Sequence, residues 1–552
     1  MRQRQETTKR VRTAHAAGPA LAGIAAVLLA AGLAACQGCH STPHPGQGGA
    51  AAPAPEVGRP TLRLYLVSNL AGALEPCGCT KDQLGGITHA AAWINSERAK
   101  APSSLLVSSG PLFFLDPVLK DDRRDQELAK AETLASSMKL LGLTSFAGGL
   151  NDWAGGDAEL KTLQDTSGAP MLAVGAGDGP LWKRVTLREI NGVRVGFVGV
   201  SVVPGALNAT VPPEQAVAAG VADLKKQGAN ILVALVSAGR GEAKRIADVV
   251  PDLTAIVVGS EKSEGEGNAA APPPELVGGV VIAETANHLQ SMAVLDLFVR
   301  DGSYTFADAT GLEEAQKRDE LTRRIDELHV KIAAWEQDGK IARADLDARR
   351  GDLVKLEAER GALDVRPPPL KGSFFRYTVK EIRESLGSDP AAAAQLAAYY
   401  KKVNEHNRVA LADRLPVPHR GDQPTFVGVE VCSSCHDDAR AVWDKTPHAK
   451  AYATLSNQDK QFNLDCVGCH VTGYELPGGS TVTRVDRLKD IQCEVCHGPG
   501  SKHALDPQRV KVVVAKPQAD ACLTCHHAPH VESFDAKAKM EEILGPGHGK
   551  PG

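Results

Sequence analysis

The sequence predicts a multidomain protein with an α/β domain, an α-helical hairpin and a C-terminal domain of mostly irregular and short helical structure. Apolar runs rich in β-branched residues alternate with helical patterns between Leu62 and about Arg300, which is typical of a layered α/β domain. A heptad pattern follows in residues 311–363. Beyond Pro418, glycine, proline and cysteine are frequent and regular patterns are few. The 552 residues are enough for roughly two to four domains.

The first 35 residues have the pattern of an export signal. Residues 1–15 carry a local charge of +4, and residues 16–35 form an apolar run that ends in small residues. A membrane-spanning helix is the alternative, but the run is barely about 20 residues long and contains three glycines and one proline. We therefore expect an exported protein. Because the whole chain carries −4, the remainder carries −8, and it has no basic domain that would favour nucleic-acid binding.

Two interpretations compete for Cys36. Residues 33–36, Leu-Ala-Ala-Cys, match a lipobox, in which Cys36 takes a lipid, whereas Cys36-Gln-Gly-Cys39-His40 matches a haem-attachment motif. Lipidation is favoured, because the following tether is rich in glycine and proline and has almost no apolar side chains to cover a porphyrin. We predict a lipoprotein signal peptide in 1–35 and a flexible tether in 36–60. Gln37 favours the outer membrane, with the protein facing the periplasm or cell surface.

Residues 61–310 are predicted to form one α/β domain with a largely buried mixed sheet. Several of its apolar runs lack alternation, as in strands covered on both faces. Helical patterns lie between them, for example in 126–141 and 242–249. The predicted strands are LRLYLVS, VRVGFVGVSVV, NILVALVSA, LTAIVVGS, GGVVIAET and MAVLDLFV.

Residues 311–363 are predicted to form an antiparallel helical hairpin with a coiled-coil seam. The seam breaks at Asp338-Gly-Lys340, where a turn is expected. We expect a structural strut or an arm that binds another protein, without chemistry of its own. The apolar seam residues are Leu321, Ile325, Leu328, Ile332, Trp335, Leu346, Leu353, Leu356 and Leu363.

Residues 364–421 are predicted to form a helical connector. Its helix has Ser388 or Asp389 as the N-cap and Pro390 in the first turn, and it continues through an alanine-rich run to about Arg408.

The C-terminal domain, residues 422–552, carries the chemistry. Four C-x-x-C-H motifs occur there, and no accident of composition explains four copies in an exported chain. Two thiols three residues apart reach the two vinyl groups of one haem, and the adjacent histidine binds the iron. Zinc sites or disulfides are the alternatives, but they do not call for a histidine after each second cysteine. The predicted thioether residues are Cys432, Cys435, Cys466, Cys469, Cys493, Cys496, Cys522 and Cys525.

The sixth ligand of each iron decides the function, because a second histidine closes the iron and makes an electron carrier, whereas an open position binds a substrate. The proximal ligands are predicted to be His436, His470, His497 and His526. Candidate distal ligands are His448, His503, His530 and His548, and weaker candidates are His419 and His527.

The C-terminal domain resembles the cytochrome c-552/4 family. The resemblance rests on VGVEVCSSCHDDARAVWDKTPHAKAY, CVGCHVTGY, CEVCHGPGSKH and CLTCHHAPH, and it covers about residues 425–550. It implies four covalently bound haem c groups in stacked pairs, irons that are mostly ligated by two histidines, and electron transfer with redox partner proteins. In that family one haem can lack a distal histidine.

The α/β domain resembles the 5′-nucleotidase branch of the metallophosphoesterases. The resemblance rests on YLVSNLAGALEP, LLVSSGPLF and LGLTSFAGGLNDWAGG, with INGVRVGFVGVSVVPG and later strands in the same order. The family's metal ligands are nearly all replaced, and His89 and His288 are the only histidines between residues 61 and 300. The resemblance therefore implies a surviving fold without a two-metal site. The replacements are Asn69, Pro111 after Gly110, Leu150-Asn151-Asp152 and Gly259-Ser260-Glu261-Lys262.

Cys77 and Cys79 are the remaining cysteine pair in that domain. Free thiols, a strained disulfide, a soft-metal pair and a local structural role all stay open.

The sequence thus predicts a membrane-anchored, extracytoplasmic multihaem cytochrome that transfers electrons, and an electron carrier is favoured over an enzyme. One alternative is a haem enzyme that acts on a small nitrogen or sulfur compound at one open iron. Another is a phosphoesterase or nucleotidase in the N-terminal domain. No catalytic residue is assigned.

Overall fold

In a computed structural model of the chain, the described residues belong to one compact unit that spans Pro55–Gly552. The structure describes residues 58–76, 83–176, 179–205, 211–265, 267–337, 342–363, 369–527, 530–531 and 534–548. The predicted signal peptide, nearly all of the tether, Cys36, Cys77 and Cys79 lie outside these residues. Within them, no helix combines the length and the apolar character that crossing a bilayer requires.

Two mixed six-stranded sheets form the centre of the α/β domain. The strand order is β11-β12-β10-β1-β2-β3 in the first sheet and β4-β5-β6-β7-β9-β8 in the second. The strands are β1 (Leu62–Ser68), β2 (Ser104–Ser109), β3 (Leu143–Ala147), β4 (Val185–Ile190), β5 (Val193–Val200), β6 (Ile231–Ser237), β7 (Ala255–Gly259), β8 (Glu275–Val277), β9 (Val280–Ala283), β10 (Ser291–Phe298), β11 (Phe306–Asp308) and β12 (Ser373–Glu381).

Helices cover the outer faces of both sheets, and further helices, many of them short, occur in the C-terminal half. The helices are α1 (Ile87–Arg98), α2 (Arg124–Leu141), α3 (Asp157–Ser167), α4 (Pro213–Lys226), α5 (Arg240–Val249), α6 (Ala315–Gln337), α7 (Arg343–Leu363), α8 (Pro390–Ala410), α9 (Val429–Ser433), α10 (Asp437–Trp443), α11 (Ala451–Ser456), α12 (Cys493–His497), α13 (Ser501–Leu505) and α14 (Ala536–Ile543). Short 3-10 helices span Leu150–Trp153, Leu312–Glu314, Glu384–Leu386, Pro447–Lys450, Val467–His470, Asp486–Leu488 and Ala519–Thr524.

The α/β domain has four layers, helix–sheet–sheet–helix. The inner faces of the two sheets share one apolar core, to which Leu64 of β1 and Phe197 of β5 contribute. Helices α1, α2 and α8 cover the outer face of the first sheet, and α4 and α5 cover that of the second. Because both faces of each sheet are covered, β6 is buried along its whole length and β1 along nearly all of it, as the sequence predicts.

The predicted α/β class and the six predicted strands are confirmed, but the single expected sheet is two sheets. The predicted domain end at residue 310 also differs from the structure, because β12 lies inside the predicted helical connector. This strand pairs along its whole length with β10 and extends the first sheet. Its sequence, SFFRYTVKE, is buried at its start and exposed towards its end, which hides the strand alternation.

The predicted hairpin is present as α6 and α7. Lys317 pairs with Glu359 and Glu336 pairs with Arg350, so the two helices run antiparallel. The predicted seam is only partly buried: Leu321 and Ile325 of α6 are buried, whereas no described residue of α7 is. The hairpin is a thin polar arm.

Helix α8 connects the α/β domain to the C-terminal domain. Its N-cap is Asp389, whose carboxylate accepts hydrogen bonds from the backbone N–H groups of Ala391 and Ala392 at 3.0 and 2.9 Å. Pro390 occupies the first turn, as predicted. Helix α8 packs on α2 and α1, so it belongs to the α/β core on one side and faces the C-terminal domain on the other.

Candidate functional site

Each C-x-x-C-H motif folds as a short helical turn. In the first motif the N–H groups of Cys435 and His436 donate to the carbonyl of Cys432 at 3.2 and 3.1 Å, and the fourth motif repeats this pattern. The second motif lies in the 3-10 helix Val467–His470, and the third forms α12. A helical turn places residues three apart on one side of the backbone. The two thiols of each motif can therefore reach one ligand.

Three motif histidines each face a second imidazole. The centroid separations and interplanar angles are 6.3 Å and 29° for His436–His503, 6.2 Å and 44° for His448–His526, and 6.2 Å and 24° for His497–His548. At these separations the paired rings are further apart than in a close stack. By contrast, the ring of His526 stacks on that of Phe534 at 4.3 Å.

These separations fit an iron between the two rings. An imidazole nitrogen lies about 2.0 Å from a first-row metal, and the ring centroid lies roughly 1 Å further away. Two opposed imidazoles on one metal therefore have centroids about 6 Å apart. With two thiols beside each pair, the donor set is that of a covalently attached haem with two axial histidines.

Hydrogen bonds orient several of these rings. The Nδ1 atoms of His470, His497 and His503 lie 2.6, 2.9 and 2.6 Å from the backbone carbonyls of Ala451, Val514 and Val510. Since a carbonyl only accepts, Nδ1 must carry the proton. The lone pair of Nε2 is then left for a metal, and the ring orientation is fixed.

Burial also favours the metal-binding form of some rings. It lowers the pKa of His448, His526 and His548, with a smaller contribution from a neighbouring imidazole at His448 and His548. A lowered pKa keeps imidazole neutral, and neutral imidazole is the form that ligates metals.

His470 differs from the other motif histidines. Its Nδ1 atom contacts the carbonyl of Ala451 and lies 3.4 Å from the hydroxyl of Thr454. Among the residues that the structure describes, no second histidine ring faces it. Tyr452 and Val471, which are next to Ala451 and His470 in the chain, belong to a small buried apolar cluster.

Two other histidines stand apart from these pairs. His530, a predicted distal candidate, packs edge-on against His527 at 5.1 Å. The weaker candidate His419 is exposed. Sequence reasoning had no signal for choosing among the distal candidates, because partners far apart in the chain meet only in the folded domain.

The motifs also approach one another. Cys432 of the first motif and Cys493 of the third lie near enough for each thiol to shift the pKa of the other, upward for Cys432 and downward for Cys493. The first and third motifs are therefore neighbours in the fold.

In the α/β domain, the side chains at the positions where the resemblance to phosphoesterases places metal ligands hydrogen-bond to the backbone of a neighbouring loop. The side-chain oxygen of Asn69 accepts the N–H of Ser260 at 2.7 Å. Asn151 donates to the carbonyl of Ser263 at 2.9 Å and accepts its N–H at 3.0 Å. Within the described ranges, no three His, Cys, Asp or Glu side chains are grouped so as to hold a metal ion.

Asp152 is fully buried at the same sheet edge. Its carboxylate accepts the backbone N–H groups of Leu112, Phe113 and Gly149 at 2.9, 2.8 and 2.9 Å. Burial raises its pKa to about 7, and the three hydrogen bonds oppose that rise.

The edge is also closely packed. A Cβ atom on Gly259 would lie 2.3 Å from the backbone nitrogen of Gly110, so the strand ends nearly touch. Asn69 also packs at this edge, because a Cβ atom on Gly110 would lie 2.1 Å from its side-chain oxygen.

Residues 431–498 match the family described as cytochrome c554 and c-prime. Cytochrome c-554 of Nitrosomonas europaea is 37% identical over 91 residues, which cover 14% of this chain and 39% of that protein. The matched segment thus spans well under half of that relative. These matches confirm the expected resemblance of this segment to c-type cytochromes.

The chain is also similar to solved structures at low identity. A 5′-nucleotidase precursor from Thermus thermophilus is 16% identical with a TM-score of 0.42, covering 67% of this chain and 62% of that one. The sulfate thiohydrolase SoxB from Thermus thermophilus is 15% identical with a TM-score of 0.36, covering 46% and 56%. The calcineurin-like phosphoesterase YfkN from Bacillus subtilis is 17% identical with a TM-score of 0.34, covering 44% and 86%.

Proposed function

We propose that this chain is a tetrahaem c-type cytochrome that transfers electrons outside the cytoplasm. The observation that carries the proposal is the set of three imidazole pairs, each separated by the distance that an iron with two axial histidines requires. When bound, each haem supplies reversible one-electron chemistry. The protein contributes ligands, orientation and spacing.

The residues around each pair suit electron transfer. When haem is bound, each imidazole pair would hold the iron and leave no position for another ligand, which suits one-electron transfer. The carbonyls that hold Nδ1 of His497 and His503 keep those rings fixed. The nearness of Cys432 to Cys493 supports electron exchange between the groups attached at the first and third motifs.

The test is a haem count together with a redox titration, in protein from a host that attaches c-type haem. We expect four haems by mass and reversible uptake of four electrons per chain. A double variant, Cys493→Ser with Cys496→Ser, is the control and should hold three. A wild-type count below four, or reduction that cannot be reversed, would contradict the proposal.

We further propose that Cys36 carries a lipid anchor and that redox partner proteins deliver and remove the electrons. The basic and apolar N-terminus followed by Leu-Ala-Ala-Cys supports the anchor. The exposed hairpin of α6 and α7 offers a charged surface for a partner. Cys36→Ser should release the protein from the membrane fraction, and continued retention would refute lipidation.

A second candidate function rests on His470. Because no second imidazole faces this residue within the described part of the chain, its iron is proposed to have an open position. Such a centre could bind and reduce a small nitrogen or sulfur compound. The ferrous spectrum with carbon monoxide tests this: a shift in about a quarter of the haem signal supports the open centre, whereas no shift removes it.

A further inference from the structure

The stretch that leads into the second motif is attached to the α/β domain. Residues 460–466, here called the lead-in segment, run from the end of α11 to the first cysteine of the motif. The N–H of Cys466 donates to the carbonyl of Asn463 at 3.2 Å, and the N–H of Asn463 donates to that of Lys460 at 3.0 Å. The segment is therefore a compact turn, and Lys460 moves with the haem-attachment residue.

A charged pair joins this turn to the first loop of the α/β domain. The ammonium group of Lys460 lies 2.9 and 2.8 Å from the two carboxylate oxygens of Glu75. The hydroxyl of Tyr400, on α8, donates to the same carboxylate, and Lys460 also lies over the Tyr400 ring at 4.3 Å. The side chain of Lys460 is 15% exposed and that of Glu75 is 34% exposed, so solvent screens this pair only partly.

Further contacts hold the rest of the lead-in segment. They come from two helices of the α/β core, α2 and α8, and from the residue before α2. The contacts are Arg123 with Asp465, Lys130 with Asp465 at 3.6 Å, Gln126 with the N–H of Leu464 at 2.9 Å, Asn404 with the N–H of Phe462 at 3.2 Å, and Asn407 with the carbonyl of Phe462 at 2.9 Å.

The cluster also borders the motif. Tyr399 and Tyr400 are buried on α8, and the same helix holds Phe462 of the lead-in segment through Asn404 and Asn407. The second motif, which contains the histidine without a facing imidazole, is thus bordered by buried polar groups of the α/β domain.

We propose that the α/β domain tunes the haem centre at His470, and that Lys460 and Glu75 are the positioning residues that set its reduction potential. The proposal rests on the proposed function. Adding one electron to that centre lowers its charge by one, with no bond made or broken and with the redox partner as the donor. A nearby ammonium favours the reduced state, and a nearby carboxylate favours the oxidised state.

The test uses single and paired variants of the full-length haem protein in a spectroelectrochemical titration. Lys460→Met should lower the midpoint potential of one of the four components, and Glu75→Gln, which can still accept the Tyr400 hydrogen bond, should raise it. The double variant should return that component close to the wild-type potential. Opposite shifts are expected only from charge, because loosening of the contact would move both single variants the same way.

The matched control is the ion pair of Arg240 and Glu275, which is similarly buried but lies on the second sheet, away from the motifs. Arg240→Met and Glu275→Gln should leave all components unchanged. Shifts of the same sign in the Lys460 and Glu75 variants, or no shift, would overturn the proposal. Failure of the proposed function is distinguishable, because the wild-type protein would then lack four reversible components.

Discussion

The α/β domain and the C-terminal domain use polar side chains in opposite ways. In the α/β domain, Asn69, Asn151 and Asp152 bond to backbone groups, and a Cβ atom could not be added between the strand ends. In the C-terminal domain, three pairs of imidazoles have ring centroids that are 6.2–6.3 Å apart. The comparison shows that one domain fills its own interior, whereas the other holds pairs of imidazoles at a spacing that fits an iron.

The apolar cores differ in the same way. Three large clusters hold the α/β domain together. The described part of the C-terminal domain contains one cluster of five buried residues, including Tyr452 and Val467. A domain with so few buried apolar side chains needs a metal or cofactor to be stable.

The largest expected effect follows directly from this difference. Without haem attachment, in a host that lacks the maturation machinery, the C-terminal domain should remain unfolded while the α/β domain folds. Limited proteolysis should then remove the chain beyond about residue 422 and leave a stable N-terminal fragment. Protein from a maturation-competent host is the control. Protease resistance of the haem-free C-terminal domain would show that its core does not depend on haem.

The imidazole pairs can be broken one at a time. His503→Ala should open one iron, and the fraction of haem that shifts with carbon monoxide should rise by about a quarter of the total. His419→Ala, at an exposed histidine in the same domain, is the control and should leave that fraction unchanged. An unchanged fraction in the His503 variant would show that this imidazole is not a ligand.

In the α/β domain, Asp152 should make stability depend on pH. Burial raises the folded-state pKa to about 7 from an ordinary value of 3.8. The folded state therefore binds the proton of Asp152 more tightly than the unfolded state does. The contribution of this group to the free energy of unfolding is fully present below about pH 4 and is lost as the pH rises through about 7. The loss in the free energy of unfolding is at most about 4 kcal/mol.

Urea unfolding at pH 5 and pH 7.5, followed for the α/β transition, measures this effect. Asp152→Asn should abolish the dependence, at a cost of about 1–3 kcal/mol because one backbone N–H loses its acceptor. If the variant keeps the full pH dependence, another group is responsible.

The smallest expected effect concerns the helix between the two domains. Asp389→Ala removes the N-cap of α8 and should lower the free energy of unfolding by about 1 kcal/mol. Ser388→Ala is the matched control, because the neighbouring Ser388 is exposed and lies outside the cap contacts; its effect should stay within about 0.5 kcal/mol. Equal effects from both variants would contradict the assignment of the cap.

Local patterns predicted much of the fold. The runs that became β1, β5 and β6 are apolar on both faces, and the cap and proline of α8 are visible in the sequence. Strand β12 was missed because its pairing with β10 depends on contacts distant in the chain. A single expected sheet became two for the same reason, since strand patterns do not reveal which strands pair.

In the candidate site too, the sequence predicts what is local in the chain but not which distant residues meet. Spacing alone identifies each haem motif, because the two thiols and the histidine are adjacent in the chain. The partner of each motif histidine is not adjacent, so His503, His448 and His548 could be named only as candidates. The contact of Lys460 with Glu75 had no sequence signal, since the two residues are 385 positions apart.

The most direct test of the central claim is quantitative electron paramagnetic resonance of the fully oxidised protein. Three paired imidazoles and one unpaired His470 predict three low-spin ferric centres and one high-spin centre per chain. Four low-spin centres would mean that the iron at His470 has a second strong ligand that is not one of the paired imidazoles. Fewer than three low-spin centres would contradict the imidazole pairs on which the account depends.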